Sequence, residues 1–379
     1  MDINAMIRRE MESQEGGAIP FARFMELTLY HDSYGYYMSD LPKVGKDGDF
    51  FTSATVHAVF GETLADVVIK LWNTAAIEQP ALVEIGGGTG SLCKSMLARI
   101  QEAAPDVYAK LTVVLIEASP YHRQKQQEAL CEHEVRKIWY SSLEEAAKAG
   151  GLEGVIVSNE WLDAFPVHLA QKTKTGWKEV AVTCEEGQFT EVLQEPGATL
   201  LNSLTEIEAA TAMPNGMRIE VNLGLEQAAQ QVGRLLAKGY VMTIDYGDRQ
   251  EELYHASRKN GTLMCYYRHQ AHDNPYIHVG EQDITAHVNF SAWSRFGEAA
   301  GLREVLYMRQ DKFLLQSGLL TKAVVHHDTD PFTSVAMKRN RALLQLIDPA
   351  GLGGRFRVMI QQKGVENSLD TASFFRSFA

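Results

Sequence analysis

The stretch ALVEIGGGTG, from Ala81 to Gly90, decides the fold class of this chain. An apolar run that carries one acidic residue, Glu84, is followed by closely spaced glycines and then by a helix-like segment, Ser91–Ile100. Buried parallel strands are near-continuous apolar runs, and glycines in the next turn let the backbone approach a ligand where a Cβ would not fit. The order therefore predicts a strand that enters a nucleoside-binding turn.

The spacing of the glycines distinguishes between nucleotide cofactors. A dinucleotide fingerprint has glycine at its first, third and sixth positions. Counted from Gly86, the sixth position is Ser91, and the third glycine falls one residue early, at Gly90. This spacing argues against a turn that binds NAD or FAD and favours the acidic G-x-G-x-G turn that binds S-adenosylmethionine (SAM). We predict that Glu84, Gly86, Gly88 and Gly90 form the cofactor site.

A second acidic residue, Glu117, ends the β-branched run Leu111–Ile116. In nucleotide-binding α/β folds, a carboxylate at the end of the second strand accepts hydrogen bonds from the ribose hydroxyls. The separation from Gly90 exceeds the usual ~20 residues, so the intervening helix and loop must be long. The alternative is that the glycine turn only reverses the chain and that Glu117 is a solvated strand end.

Helices and strands alternate after Glu117, as in a doubly wound α/β sheet. The predicted elements are the helix Pro120–Cys131, the strand Val135–Tyr140, the helix Ser142–Ala149 and the strands Gly154–Ser158 and Tyr240–Tyr246. Apolar spacing also predicts helices over Ile19–Tyr30 and from Val56 to Leu71. Between the last two strands, short alternating strands such as Lys178–Thr183 indicate an insertion that caps the site.

The composition and charge of the chain limit the classes of function that it can have. The chain has 379 residues, enough for one large α/β domain with insertions or for two domains. Its 36 Lys and Arg residues against 48 Asp and Glu residues give a net charge of −12, which argues against a nucleic-acid partner. No apolar run approaches the ~18 residues of a membrane span, and the acidic N-terminus fits no targeting sequence. We therefore expect a cytoplasmic protein without a membrane partner.

No pattern of metal ligands is predicted. The four cysteines, Cys93, Cys131, Cys184 and Cys265, are widely separated, so neither a disulfide framework nor a thiolate zinc site is indicated. Histidines cluster late in the chain, but only His269 and His272 are closely spaced, and no acidic motif frames them. The prediction is that the protein has no metal site.

The segment Ser158–Asp163, SNEWLD, follows the predicted fourth strand, at the sheet edge where ligands bind. Methyl transfer needs a neutral nitrogen in line with the sulfonium methyl, and two carboxylates beside an aromatic suit such a nucleophile. We predict that a short helical turn brings Glu160 and Asp163 to one side, where they bind a guanidinium and take its proton, with Asn159 at the cofactor. Alternatively, Glu160 caps a helix and Asp163 lies on its solvent face.

The tract Gly45–Ser53 is rich in turn residues and hydroxyls and encloses two adjacent aromatics. A loop of this kind can fold over a ligand. From the residues alone, an equal alternative is that Ser53 or Thr55 is only the N-cap of the following helix.

Seven motifs in order along the chain resemble the MidA family of SAM-dependent methyltransferases. They are YGYY (Tyr34–Tyr37), GDFFTS (Gly48–Ser53), FGE (Phe60–Glu62), VEIGGGTG (Val83–Gly90), SNEWLDAFPVH (Ser158–His168), DYG (Asp245–Gly247) and GEQDITAHVNF (Gly280–Phe290). The likeness runs from about residue 18 to residue 325. The family includes a mitochondrial complex I assembly factor that is a protein arginine methyltransferase.

The resemblance implies an α/β fold of the class I SAM methyltransferase type, with a Rossmann-like doubly wound sheet, an N-terminal helical extension and α+β insertions. The N-terminal helical region, residues 1–78, would pack on the cofactor site. Residues 79–165 and 237–325 would form the SAM-binding core. Residues 166–236 would be the inserted substrate or cap region, and residues 326–379 a C-terminal extension.

The resemblance also implies a cofactor loop and an activity. The loop residues that would cover SAM are Gly48, Asp49, Phe50, Thr52 and Ser53. The implied activity is transfer of a methyl group from SAM to an arginine side chain of a protein substrate, and a homodimer is a further expectation. The alternatives are a non-catalytic SAM-fold assembly or interaction factor, and a small-molecule or RNA methyltransferase.

Overall fold

The computed structural model of the protein describes residues 2–40, 58–327, 330 and 334–378. Contacts divide the chain into two compact units, each built from three separate segments. The first unit consists of Met1–Phe50, Leu162–Glu226 and Gly247–Trp293. The second unit consists of Phe51–Trp161, Gln227–Tyr246 and Ser294–Ala379.

The strands of the described residues are numbered in chain order. They are β1 (Ile19–Pro20), β2 (Ala81–Ile85), β3 (Thr112–Ile116), β4 (Arg136–Tyr140), β5 (Leu152–Asn159), β6 (His168–Thr173), β7 (Gly176–Glu185), β8 (Gln188–Gln194), β9 (Arg218–Val221), β10 (Leu236–Asp248), β11 (Met264–Tyr267), β12 (Gln270–His272), β13 (Asp283–Thr285), β14 (Val288–Asn289), β15 (Arg303–Arg309) and β16 (Phe356–Lys363).

The helices are Ile3–Glu12, Phe21–Tyr30, Ala58–Thr74, Ser91–Ala103, Pro105–Tyr108, Pro120–Ala129, Leu143–Ala149, Ala198–Ala210, Leu225–Leu235, Gln250–Leu253, Phe290–Ala299, Gln310–Gln316, Val335–Leu346, Leu352–Arg355 and Thr371–Arg376. Short 3-10 helices cover Tyr36–Met38 and Leu319–Lys322. Within the described part of the chain, no helix combines the length and the apolar character that crossing a bilayer requires.

The core sheet of the second unit has the strand order β15-β16-β10-β5-β2-β3-β4. The strands from β10 to β4 are parallel, whereas β16 is antiparallel to both of its neighbours. The direction of winding reverses between β2 and β5. In such open sheets, ligands bind beyond the carboxyl ends of the strands at this switch point.

Burial on both faces explains why the strands of this sheet read as apolar runs. Every residue of β2 is buried, including Glu84 as its single acidic residue. The helix Ala58–Thr74 packs against Ser91–Ala103, and Gly61 permits the close approach, because a Cβ at Gly61 would lie 2.5 Å from Cβ of Ser95. The helices that flank the glycine turn are thus tightly packed.

The first unit contains an antiparallel sheet with the order β1-β7-β6-β9, with β8 also paired to β7, and a three-stranded sheet with the order β12-β11-β13. Phe21 and Phe24 of one helix pack in its main apolar cluster. Leu204 of the helix Ala198–Ala210 packs with Trp177 of β7 in a second cluster. This unit therefore has apolar cores of its own.

The predicted core elements agree with the structure to within a few residues at their ends. The observed strand β5 is longer than the predicted strand Gly154–Ser158, and β10 is longer than the predicted strand Tyr240–Tyr246. The predicted helix Ile19–Tyr30 begins two residues late, at Phe21, because Ile19 and Pro20 pair with β7. Proline has no N–H to donate and suits the position before a helix.

The predicted domain bounds differ from the observed division in several places. The helix Ala58–Thr74 belongs to the second unit rather than to an N-terminal region, and Gly247–Trp293 belongs to the first unit rather than to the core. β16 comes from the predicted C-terminal extension, yet it lies between β15 and β10 in the core sheet. Local periodicity predicts that a strand forms, but not which distant strand it pairs with.

Ion pairs hold the C-terminal part of the second unit to the helix Ala58–Thr74. Arg339 binds Glu62 through two bonds, from Nη1 to Oε1 at 2.8 Å and from Nη2 to Oε2 at 2.6 Å. Lys322 Nζ lies 2.6 Å from Asp66 Oδ2, and Arg339 Nε donates to the carbonyl of Lys322 at 2.9 Å. These side chains are mostly buried, so the bonds are shielded from solvent.

We predict that Arg339→Met lowers the free energy of unfolding by about 2 kcal/mol, because it leaves the Glu62 carboxylate without its two charge-assisted bonds. Urea denaturation of the full chain measures this loss. Arg341→Met is the matched control, since Arg341 is exposed on the same helix. Equal losses in the two variants would contradict the prediction.

Candidate functional site

The glycine turn starts at the carboxyl end of β2 and has a defined backbone structure. Gly86, Gly88 and Gly90 have φ angles of 68°, 51° and 81°, in the left-handed region that other residues rarely adopt. The N–H of Gly90 donates to the carbonyl of Gly87 at 2.9 Å, and Gly90 is the N-cap of the next helix. The predicted turn and helix are therefore present.

Among the described residues, one side of the turn packs against protein and the other is open. A Cβ at Gly86 would lie 3.2 Å from Cδ1 of Trp161, and a Cβ at Gly87 would lie 2.4 Å from Oε2 of Glu84. A Cβ at Gly88 would meet no atom of the described residues within 4 Å. Gly88 thus borders the space in which a ligand can approach the backbone.

Glu84 is a buried carboxyl group directly below the turn. It is 4% exposed, and its Oε2 has no hydrogen-bond partner among the residues that the structure describes. Burial, together with a smaller effect of the negative charge of Glu117, raises the pKa of Glu84 to about 8. A buried polar oxygen of this kind is available to a donor group of a ligand such as SAM.

Glu117 lies at the carboxyl end of β3 and is buried, with 8% exposure, so it is not a solvated strand end. Its Oε1 accepts a bond from the N–H of Ser119 at 3.0 Å, and its Oε2 accepts one from the N–H of Gly88 at 3.2 Å. A carboxylate can accept about four hydrogen bonds. The two backbone bonds therefore orient Glu117 and leave acceptor capacity for ribose hydroxyls.

Gln126 also contacts the turn, and sequence reasoning missed it. It is fully buried on the helix Pro120–Ala129, and its Nε2 donates to the carbonyl of Gly88 at 2.9 Å. The signal available in the sequence was weak: Gln126 and His122 are spaced by four residues on a polar helix and both face inward. Polar residues at this spacing also occur on solvent faces.

Asn159 and Glu160 lie at the carboxyl end of β5, beside β2 in the sheet. Asn159 Nδ2 donates to Glu160 Oε1 at 3.0 Å, and Asn159 Oδ1 is buried without a partner in the described part of the chain. Glu160 is half-buried and has a φ of 55°. A left-handed backbone at a residue other than glycine costs roughly 1–3 kcal/mol and is concentrated at functional sites.

The predicted helical turn from Glu160 to Asp163 is wrong, because residues 160–163 form no helix. The N–H of Glu160 donates to the carbonyl of Ile244 at 2.9 Å, and the N–H of Trp161 donates to Asp245 Oδ2 at 3.1 Å. Glu160 has a φ of 55°, in the left-handed region, and a right-handed helical turn cannot include a residue with this backbone. The left-handed backbone therefore directs the chain away from a helix at this point.

Asp163 belongs to the first unit, whereas Glu160 belongs to the second. Asp163 is buried, and its carbonyl accepts a bond from the N–H of Ala286 at 3.0 Å. Burial raises the pKa of Tyr37, and the negative charges of Asp283 and Asp163 add to this effect. Asp163 is therefore an internal carboxylate of the first unit rather than a solvent-facing residue.

The predicted cofactor loop lies outside the described residues. Its residues are Gly48, Asp49, Phe50, Thr52 and Ser53. Their contact with SAM stays a prediction. Among residues 2–40, 58–327, 330 and 334–378, no group of three or more His, Cys, Asp and Glu side chains is placed to hold a metal ion.

The comparisons with known proteins agree with this geometry. The family model described as "Putative S-adenosyl-L-methionine-dependent methyltransferase" matches residues 63–308. The chain belongs to this methyltransferase family. The matched region contains the glycine turn, Glu117 and Glu160. SAM is thus the cofactor, and the predicted family and cofactor are confirmed.

Two solved structures from Burkholderia thailandensis resemble this methyltransferase closely. One, in complex with S-adenosyl-homocysteine, is 33% identical, covers 97% of this chain and 93% of its own, and superposes with a TM-score of 0.85. The other is a native structure with 32% identity, the same coverage and a TM-score of 0.82. The predicted class I methyltransferase fold is confirmed.

Sequence relatives extend to mitochondrial proteins. The protein arginine methyltransferase NDUFAF7 homolog of Drosophila melanogaster is 25% identical to this methyltransferase over 92% of this chain and 82% of its own length. The protein arginine methyltransferase NDUFAF7 of Homo sapiens is 27% identical over 93% of this chain and 82% of its own length. The likeness therefore spans nearly the whole chain.

The buried carboxyl of Glu84 predicts a pH-dependent stability. Between pH 4.5 and about 8, the unfolded chain ionises Glu84 while the folded protein keeps it protonated. The folded state then binds more protons, so its contribution to stability is lost as the pH rises through this window. We expect Glu84→Gln to flatten this decline by up to about 1.4 kcal/mol per pH unit, measured by urea denaturation at several pH values.

The control for this measurement is Glu153→Gln, because Glu153 is exposed at the other end of β5. It should leave the pH dependence unchanged. An unchanged pH profile in Glu84→Gln would show that Glu84 is ionised in the folded protein.

Glu117→Ala should weaken SAM binding by roughly 1–3 kcal/mol, because it removes charge-assisted bonds and leaves ligand hydroxyls unpaired. Calorimetry with SAM and with S-adenosyl-homocysteine measures the loss. Glu132→Ala, at an exposed position after the helix Pro120–Ala129, is the control. A loss below about half a kcal/mol would exclude a ribose-binding role.

Proposed function

We propose that this methyltransferase transfers a methyl group from SAM to an arginine side chain of a protein substrate. The observation that carries the proposal is the likeness to proteins named protein arginine methyltransferases over 92% and 93% of this chain. A likeness of this extent includes both the glycine turn and the segments of the chain that form the first unit.

Glu160 gives the proposal a chemical basis. Its half-buried carboxylate lies at the switch-point edge of the sheet, next to the strand that carries the glycine turn. Its backbone is left-handed, its N–H donates to the carbonyl of Ile244, and its Oε1 accepts a bond from Asn159. A carboxylate held in this way suits the planar, donor-rich guanidinium group.

The proposed chemistry assigns one task to this carboxylate. SAM supplies an electrophilic methyl group on a sulfonium when it is bound. A guanidinium is not deprotonated beforehand, because its pKa lies above ~12. Glu160 orients the attacking nitrogen and accepts its proton as the N–CH₃ bond forms and the S–CH₃ bond breaks. The products are a methylated arginine and S-adenosyl-homocysteine.

Asp163 is proposed as a second carboxylate that acts on the substrate, on the strength of its place in the same SNEWLD motif. Cytoplasmic location and a homodimer likewise stay predictions.

The test uses purified full-length enzyme, tritiated SAM and an extract of cells that lack the protein. Mass spectrometry identifies the labelled residue. We expect label on arginine, and we expect Glu160→Gln to reduce turnover about a hundredfold or more, with SAM affinity nearly intact. Asp163→Asn is measured in the same assay, and Glu153→Gln, at the far end of β5, is the control for loss of a carboxylate.

Three outcomes would overturn parts of this proposal. Label on a side chain other than arginine would exclude the substrate class. Wild-type turnover in both Glu160→Gln and Asp163→Asn would exclude the two carboxylates. SAM binding without any transfer would favour the alternative of a non-catalytic assembly or interaction factor.

A further inference from the structure

A buried amide links the glycine turn to an outer strand of the core sheet. Gln126 has no solvent exposure, and both ends of its side-chain amide are used. Nε2 donates to the carbonyl of Gly88 at 2.9 Å, and Oε1 accepts a bond from Nε1 of Trp139 on β4 at 3.1 Å. The three residues form a relay that runs from β4 to the cofactor turn.

The chemistry of the partners fixes the direction of this relay. The indole N–H of Trp139 is only a donor, so the oxygen of the Gln126 amide must face it. The NH₂ group must then face the carbonyl of Gly88, which is only an acceptor. The orientation of the amide is therefore determined by its two partners rather than by an arbitrary choice between oxygen and nitrogen.

The relay ends at the carbonyl of Gly88, and the N–H of the same glycine is also hydrogen-bonded. The N–H of Gly88 donates to Glu117 Oε2 at 3.2 Å, while its carbonyl accepts from Gln126. Gln126 also lies against Gly90, where a Cβ would be 3.2 Å from its Cγ. The N–H and the carbonyl of Gly88 are thus both hydrogen-bonded. No atom of the described residues lies within 4 Å of the position of a Cβ at Gly88, so this side of the glycine is left for the ligand.

We propose that Gln126 and Trp139 are positioning residues for SAM binding. They hold the peptide after Gly88 in the one orientation that presents the turn and Glu117 to the cofactor. A glycine adopts positive and negative φ with similar ease, so Gly88 has no intrinsic preference for its φ of 51°. The relay supplies that preference before the cofactor binds, which lowers the cost of ordering on binding.

This inference rests on the cofactor of the family and not on the identity of the methylated side chain. It is tested by binding alone, so a failure of the arginine proposal leaves its outcome unaffected.

Gln126→Glu is the decisive variant, because it keeps the acceptor for Trp139 and replaces the donor to Gly88 by an ionisable oxygen. Above the pKa of the introduced carboxyl, two acceptors oppose each other, and we expect SAM affinity to fall about tenfold or more. At lower pH the protonated carboxyl donates to the carbonyl of Gly88, and the affinity returns toward that of the wild type. Calorimetry with SAM and S-adenosyl-homocysteine between pH 5.5 and pH 8.5, a range of roughly three pH units around the expected raised pKa, measures both effects.

The titratable groups around the turn, Glu84, Glu117 and His122, are present in both proteins, so each affinity is taken relative to the wild type at the same pH. Gln127→Glu is the matched control, because Gln127 is the exposed neighbour on the same helix. It should change SAM affinity at no pH.

Trp139→Phe is the milder second variant, since it keeps an aromatic ring and removes only the N–H that fixes the amide. The amide of Gln126 can then rotate, and we expect a weakening of SAM binding of about threefold that does not vary with pH. Thermal unfolding of each variant establishes that it is folded. Wild-type affinity in Trp139→Phe, or a weakening in Gln126→Glu that low pH does not reverse, would overturn the proposal.

Discussion

The constraint on which the site depends is the backbone of the glycine turn, whose peptide groups need partners while their Cα atoms stay open to a ligand. Gly88 meets both conditions: its N–H is bound by Glu117, its carbonyl is bound by Gln126, and no atom of the described residues occupies the position of a Cβ. The partners come from β3 and from the helix Pro120–Ala129. The surroundings of β2 therefore satisfy the peptide groups of one left-handed turn.

The same arrangement explains why two buried glutamates beside the turn differ in their hydrogen-bond partners. Glu117 receives two backbone N–H bonds, which orient its charge toward the open side of Gly88. Glu84 lies under Gly87, with one oxygen unpaired among the described residues, so burial dominates and its pKa rises to about 8. Glu117 is thereby oriented to accept hydrogen bonds, whereas burial favours the neutral form of the Glu84 carboxyl.

Tertiary bonds also shape the other strand at the switch point. The chain leaves β5 through Glu160, whose backbone lies in the left-handed region and whose N–H donates to the carbonyl of Ile244 of β10. Trp161 then packs against Gly86 and donates to Asp245, so the end of β5 is connected to both the glycine turn and β10. The strain at Glu160 is balanced by these bonds, and the result is a carboxylate at the ligand edge of the sheet.

Apolar periodicity and glycine spacing predicted the strand, glycine turn and helix from Ala81 onward and the place of Glu117 after the next strand, because these patterns are properties of short, continuous segments. The family was predicted from the resemblance of seven motifs along the chain. Only the tertiary structure decided the place of β16 in the core sheet, the strained backbone of Glu160 and the role of Gln126. Each of these depends on a partner remote in the chain: Gln126 binds a residue 38 positions away, and Glu160 binds the end of β10. A local pattern specifies which element forms, whereas the satisfaction of buried polar groups depends on which distant elements pack together.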